Sequence, residues 1–247
     1  MFLIMKILSK IRIHPFFYVV LFFSFFTGNI RDFLAFSLLV IIHEFGHVCF
    51  GILFGWNIDR IIILPFGGLT VFNILINTSL FEQFVVAIMG PIFQIIFYFV
   101  FSFFYFSSRF QFFNFLLLVF NLIPIFPLDG SKILNVFFNL IFPFKFSHLF
   151  SLFFSFVFII LFFLFFDFNL FLFLSLLFLF FSGVREFVLH RSIFNKFLFE
   201  RYVYSFSFRR VISVKDVKSM RVWCRHLFFY DNTYISEKKM LSKRFDK

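Results

Sequence analysis

The chain has 247 residues, 62% of them hydrophobic, with a mean hydropathy of +1.01. No soluble domain can hide that much apolar surface, so lipid is the solvent for most of it. The net charge of +11 is uneven: residues 184–247 carry fifteen Lys/Arg against six Asp/Glu. A basic end of this kind marks the cytoplasmic side of a membrane protein. It contains no nucleic-acid motif, so nucleic acid is not an expected partner. The 58 Phe are spread evenly through the apolar runs and read as compositional bias rather than as a message. Cys49 and Cys224 lie far apart without metal-ligand spacing and predict neither a disulfide nor a metal site.

In chain order, Lys6, Lys10 and Arg12 precede an apolar run from Phe16 to Phe26. The run ends without an A-x-A-like site, which predicts an uncleaved first span with a cytoplasmic N-terminus. Being short, this span is expected either to reach back across Pro15 or to tilt little. A turn at residues 28–32 leads to a second span, from Phe33 to about Gly55. Within it stands His43-Glu44-Phe45-Gly46-His47. Histidines at i and i+4 lie about 40° apart on one helix face, so both imidazoles can grip one ion. Glu44, about 100° round from His43, can reach a water on that ion. With 6 His and 5 Glu in the chain, chance supplies this pattern only about 0.003 times. Ionisable residues at membrane depth are functional by default. Gly51 and Gly55 continue the fourfold spacing and predict close helix packing.

Residues 60–72 are β-branched on either side of Pro65-Phe66-Gly67-Gly68, which predicts a re-entrant hairpin of two short strands beside the site. A third span runs from about Glu82 to Phe106, with a kink expected at Met89-Gly90-Pro91. The fourth apolar run, Phe112 to Phe126, ends in a stretch containing Asn121, Pro124, Pro127 and Asp129. Two prolines three apart remove two backbone donors and unwind the helix there. That exposes carbonyls, Asn121 and Asp129, whose carboxylate needs a partner such as a metal. Spans at about residues 146–166 and 169–183, split by a turn at Asp167, complete six. The prediction is an all-α polytopic membrane protein of about six transmembrane helices. It carries a small re-entrant β-hairpin and a short basic cytoplasmic tail, and both termini are cytoplasmic. Residues 1–186 form the membrane domain and 187–210 a basic helical linker. Residues 211–247 form a short tail in which Val211–Val214 is the strand-like run.

These residues resemble the site-2 protease family of intramembrane zinc metalloproteases. Within it they resemble the sporulation type that processes a membrane-associated pro-sigma factor. The resemblance covers roughly residues 1–204. It rests on the His43–His47 pentapeptide, on Leu64-Pro65-Phe66-Gly67-Gly68, on Met89-Gly90-Pro91 and on the stretch from Asn121 to Gly130. It implies that His43, His47 and Asp129 hold Zn2+ and that Glu44 is the general base. Asn121 and Pro127 match family positions associated with the active site and substrate, and the unwound segment at Pro124 and Pro127 with the hairpin near Gly67 and Gly68 is expected to hold substrate as an added strand. The implied substrate is a membrane-associated pro-sigma factor. Membrane-embedded inhibitory partners and a second copy of the chain are further candidate partners, and the implied location is the membrane around the forespore, facing the mother cell. Ser131 stands where this type commonly has a second Gly. Residues 211–247 are too short for the nucleotide-sensing CBS domain with which the type ends, so only a truncated CBS-like segment is expected.

Two other readings remain open. A prenyl-protein-type membrane zinc protease takes a later Glu as third ligand, for which Glu82 and Glu186 are the acids near a span. An ion-pathway membrane protein could use His and Asp for transport, but the internal repeats that mark such proteins are not evident.

Overall fold

The computed structural model describes residues 9–64, 67–103, 107–165, 170–204, 206, 208, 210–230 and 233–246. It is mostly helical, with two three-stranded sheets among the described residues. The turns expected at Pro65-Phe66 and at Asp167 lie outside the described residues. The chain divides into two compact units, residues 1–74 with 85–123, and residues 75–84 with 124–247.

In the first unit, strand β1 (Ile11–Ile13) leads into helix α1 (Pro15–Phe26). Pro15 sits in the first turn, where its missing N–H costs nothing, and the His14 ring caps Phe16 N at 3.3 Å. The helix therefore does not reach back across Pro15, because the residues before it belong to a strand. Gly28, at φ +73°, makes the turn into α2 (Ile30–Leu53). That helix ends on Gly55, at φ +75°, with Gly55 N–H bonded to Ile52 O and Trp56 N–H to Gly51 O. This pair of bonds satisfies the last carbonyls, a role that suits a residue without a Cβ. Gly55 is thus a helix stop rather than the packing residue its spacing suggested. Gly51 does pack, since a Cβ there would sit 2.4 Å from the Phe72 ring.

Strands β2 (Asn57–Leu64) and β3 (Gly67–Asn73) pair antiparallel, as the β-branched run predicts. β1 adds in parallel to β2, giving the order β1-β2-β3. Val48, Ile58 and Ile61 form the small core between this sheet and α2. Helix α3 (Leu80–Ser102) runs on through Pro91 as one assigned helix. Leu39 and Val40 of α2 pack with Phe110 and Leu117 of α4 (Ser108–Leu122).

The second unit begins its helices with α5 (Asp129–Ile141), after a break at residues 123–128 that contains the cis Phe126–Pro127 bond. Ser155 Oγ donates to Pro124 O at 3.2 Å and accepts from Phe126 N at 3.1 Å, tying that break to α6 (Phe144–Phe165). Helix α7 (Leu170–Val203) has 34 residues and unites the expected last span with the basic linker. The tail holds more order than one strand-like run. β4 (Val211–Val214), β5 (Arg225–Tyr230) and β6 (Thr233–Ser236) form a sheet, followed by α8 (Glu237–Phe245). β4 and β5 are parallel, and β5 and β6 antiparallel. Met220, Phe228 and Leu241 share one core with Phe197 and Leu198 of α7.

Residues 30–53, 80–102, 144–165 and 173–203 form four helices long and apolar enough to cross a bilayer, and α1 is a shorter apolar helix. Phe22, Phe99, Phe115, Phe153, Phe163 and Phe181 are each more than half exposed. An exterior of that kind belongs in lipid. The chain is an integral membrane protein.

Candidate metal centre

Helix α2 buries one face along its length, and His43, Glu44 and His47 lie on that face at 2%, 6% and 3% exposure. Their ligand atoms all fall within 4.8 Å of one another. The close approach of α3 depends on two glycines. A Cβ on Gly46 would stand 2.4 Å from Met89 O, and one on Gly90 would stand 2.2 Å from His47 Nε2. The Gly of the pentapeptide and the Gly of Met89-Gly90-Pro91 are therefore the two sides of one helix contact.

That contact fixes both imidazoles. His47 Nδ1 lies 2.7 Å from Val86 O, and His43 Nδ1 lies 3.0 Å from Gln94 Oε1. A backbone carbonyl can only accept, so His47 carries its proton on Nδ1. The Gln94 amide is oriented by its other end: Nε2 donates to Asn114 O at 2.8 Å and to Asn114 Oδ1 at 2.9 Å. Its oxygen must then face His43, which also donates from Nδ1. Both Nε2 atoms are left as lone pairs, 3.2 Å apart. Two acceptors at that distance repel unless a cation sits between them. For a tetrahedral ion with Zn–N of about 2.0–2.1 Å, the two nitrogens should be roughly 3.3 Å apart. The donor set fits zinc, with outer partners that hold the rings as metal-binding histidines require.

Glu44 is held separately. Thr70 Oγ1 of β3 donates to its Oε2 at 2.5 Å. Gly68 of the same strand lies beneath the side chain, where a Cβ would be 2.4 Å from Glu44 Cγ. Gly67 begins β3 with open space above it. The hairpin expected beside the site is thus packed on the general-base candidate itself.

Of the other expected site residues, Asn121 is buried in the last turn of α4, in the same unit as the histidines. Pro124 and Pro127 lie in the break before α5, in the second unit. Asp129 is the first residue of α5 and 4% exposed, where the positive end of the helix favours its charge. The carboxylate that the sequence left in need of a partner is 2.8 Å from Lys132 Nζ.

Thr70, Gln94, Asn114 and the Val86 carbonyl were not singled out from sequence. Gln94 and Asn114 had a signal, being amides inside apolar helices. The Val86 carbonyl had none, since every residue has one.

Residues 32–111 match Peptidase family M50. Over 152 residues the chain is 34% identical to stage IV sporulation protein FB of Bacillus subtilis (strain 168), covering 58% of this chain and 53% of that protein. The chain thus spans about half the length of that relative. In fold it is similar to the site-2 protease from Methanocaldococcus jannaschii, with a TM-score of 0.54 and 26% identity over 71% of this chain and 89% of the other. The matched residues 32–111 include the helix whose two histidines meet at Nε2, and over that stretch the chain resembles the site-2 proteases of peptidase family M50.

Proposed function

We propose that the protein is an intramembrane zinc metalloendopeptidase that cleaves a membrane-associated pro-protein, a sporulation pro-sigma factor by analogy with the Bacillus relative. The observation that carries this reading is the pair of Nε2 lone pairs facing each other at 3.2 Å beside a buried carboxylate. A zinc ion held there supplies a Lewis acid and makes water acidic enough to ionise near pH 7. His43 and His47 would hold it, with Asp129 as third protein ligand, leaving one position open. Lys132 neutralises Asp129 until metal is bound.

Glu44 takes the proton from the attacking water on Oε1 while Thr70 keeps Oε2 occupied. The same carboxyl then returns the proton to the leaving amine. The substrate joins the outer edge of β3, which has only β2 as a strand partner among the described residues. A peptide paired there would run past Gly68, directly over Glu44. Asn121, Pro124 and Pro127 would contact substrate. Helices α1, α2, α3, α4, α6 and α7 make six spans, with both termini cytoplasmic and the hairpin re-entrant.

Coexpression with a membrane-tethered pro-sigma factor, scored by gel shift, tests the reading. Glu44→Gln should lower cleavage by about 10³-fold or more while zinc content and membrane level stay normal. Asp129→Asn should lose zinc as well as activity. Cleavage at the normal rate in Glu44→Gln would sink the mechanism. Full zinc retention in Asp129→Asn under chelator challenge would move the third ligand elsewhere and favour the prenyl-protease alternative.

A further inference from the structure

A second set of metal-type donors lies within the helical pair α6–α7, outside the metal centre. The two helices pack closely: a Cβ on Gly183 would meet the Phe156 ring at 3.4 Å, and Phe156 packs edge-on to Phe180. Further along this contact, His148 of α6 faces Glu186 and His190 of α7. Glu186 and His190 are spaced i and i+4, so they share one helix face.

The polar accounting of these residues does not close. His190 is 7% exposed, and both its ring nitrogens are buried without a hydrogen-bond partner. His148 is 8% exposed, and its Nε2 is also buried without a hydrogen bond. That Nε2 lies 3.6 Å from Glu186 Oε1, close enough for attraction and too far for a good bond. An imidazole always carries at least one N–H, so at least one donor is stranded on His190. A stranded buried polar group costs about 1–3 kcal/mol, and native proteins rarely tolerate three together without a water or ion. The rings themselves lie nearly parallel, at 9° with centroids 5.3 Å apart. Phe144 stacks on the outer side of His148, which gives that ring a fixed apolar backing. Of the nearby cations, Lys145 Nζ sits over the Phe194 ring at 5.8 Å, and Arg185 is exposed.

We infer that His148, Glu186 and His190 form a second divalent-metal site, of the zinc type, that clamps α6 to α7. Two imidazoles and one carboxylate suit zinc over magnesium or calcium, which prefer all-oxygen ligands. One imidazole must turn about its Cβ–Cγ bond to bring its nitrogen round to a shared ion, since parallel rings do not aim at one point. Binding fills the stranded Nε2 of His148 and one of the two stranded nitrogens of His190. The clamp is structural. It lies on the helix that continues into Glu200 and Arg201, so it steadies the base of the tail and touches no substrate.

The test uses the full-length chain in detergent with His43→Ala and His47→Ala together, which removes the first centre. After chelator stripping and dialysis against zinc chloride, elemental analysis should find one zinc per chain, against two in the wild type. Adding His190→Ala should weaken zinc binding by at least about 100-fold in competition with a chromophoric chelator. Cobalt substituted for zinc should give visible absorption bands that vanish in the same variant. Should His190→Ala fail to fold, the isosteric Glu186→Gln must show the same direction of loss. The proposal is overturned if the double variant takes up no zinc, or if it binds zinc equally well with and without His190 and Glu186. A thermal midpoint that moves with pH but not with zinc would also overturn it, making the cluster a proton site. Failure of the protease reading appears in the cleavage assay alone, so the two are separable.

Discussion

Two buried polar clusters in this molecule follow opposite designs. At the metal centre the outer nitrogens are tied down and the inner ones are left converging. His43 and His47 spend Nδ1 on Gln94 and Val86 and turn Nε2 toward each other. At the base of the tail, Arg201 is closed off instead. Its Nε donates to Asn77 Oδ1 at 2.7 Å, Nη1 to Cys224 O at 2.7 Å and Glu237 Oε1 at 3.1 Å, and Nη2 to Arg221 O at 2.8 Å. The rings of Phe197 and Phe208 flank its guanidinium at 5.1 and 4.8 Å. Asn77 in turn binds Glu200 Oε2 through both its backbone N–H and its side chain. The first cluster turns two Nε2 atoms toward one point, 3.2 Å apart. The second satisfies the Arg201 guanidinium internally and serves as a joint. Burial alone separates neither; the direction in which each lone pair or N–H points does.

The metal centre should fail by geometry and the joint by energy. Gly90→Ala gives the largest expected effect. Its Cβ must push His47 off the position that Val86 holds, so zinc and cleavage should both be lost, and elemental analysis with the gel-shift assay checks this. Zinc retained at wild-type affinity would mean that α3 can draw back from α2. Next comes Arg201→Met, which leaves the buried Glu237 Oε1 without its guanidinium partner. It should destabilise the second unit by roughly 3–5 kcal/mol, read as early unfolding of the tail by limited proteolysis, with zinc content unchanged. A stable tail in that variant would reduce the joint to a packing contact. The smallest effect belongs to Gln94→Leu, which removes the partner of His43 and keeps the ligand. It should weaken zinc affinity by about 10–100-fold with the fold intact, measured by chelator competition.

The sequence by itself determined where the candidate site lies. The spacing His43–Glu44–His47 already commits three side chains to one face of a helix, because a helix of this length has one geometry. It also determined the membrane setting, the hairpin at residues 60–72 and the break at Pro124 and Pro127, since each rests on a local rule of periodicity or of proline. What it left open were features decided by residues distant in the chain. Thr70 holds Glu44, and Gln94, Asn114 and Val86 orient the histidines; each requires knowing which helix or strand lies alongside, and no local pattern records that. The tail was under-read for the same reason. β4 and β5 are parallel, so their pairing joins segments separated by an intervening loop, and Arg201 reaches Asn77 across 124 residues. Gly55 was read from spacing as a packing residue and is a helix stop. The fourfold repeat is a property of the chain, whereas the positive φ that gives this glycine its use is fixed only where the helix ends and β2 begins.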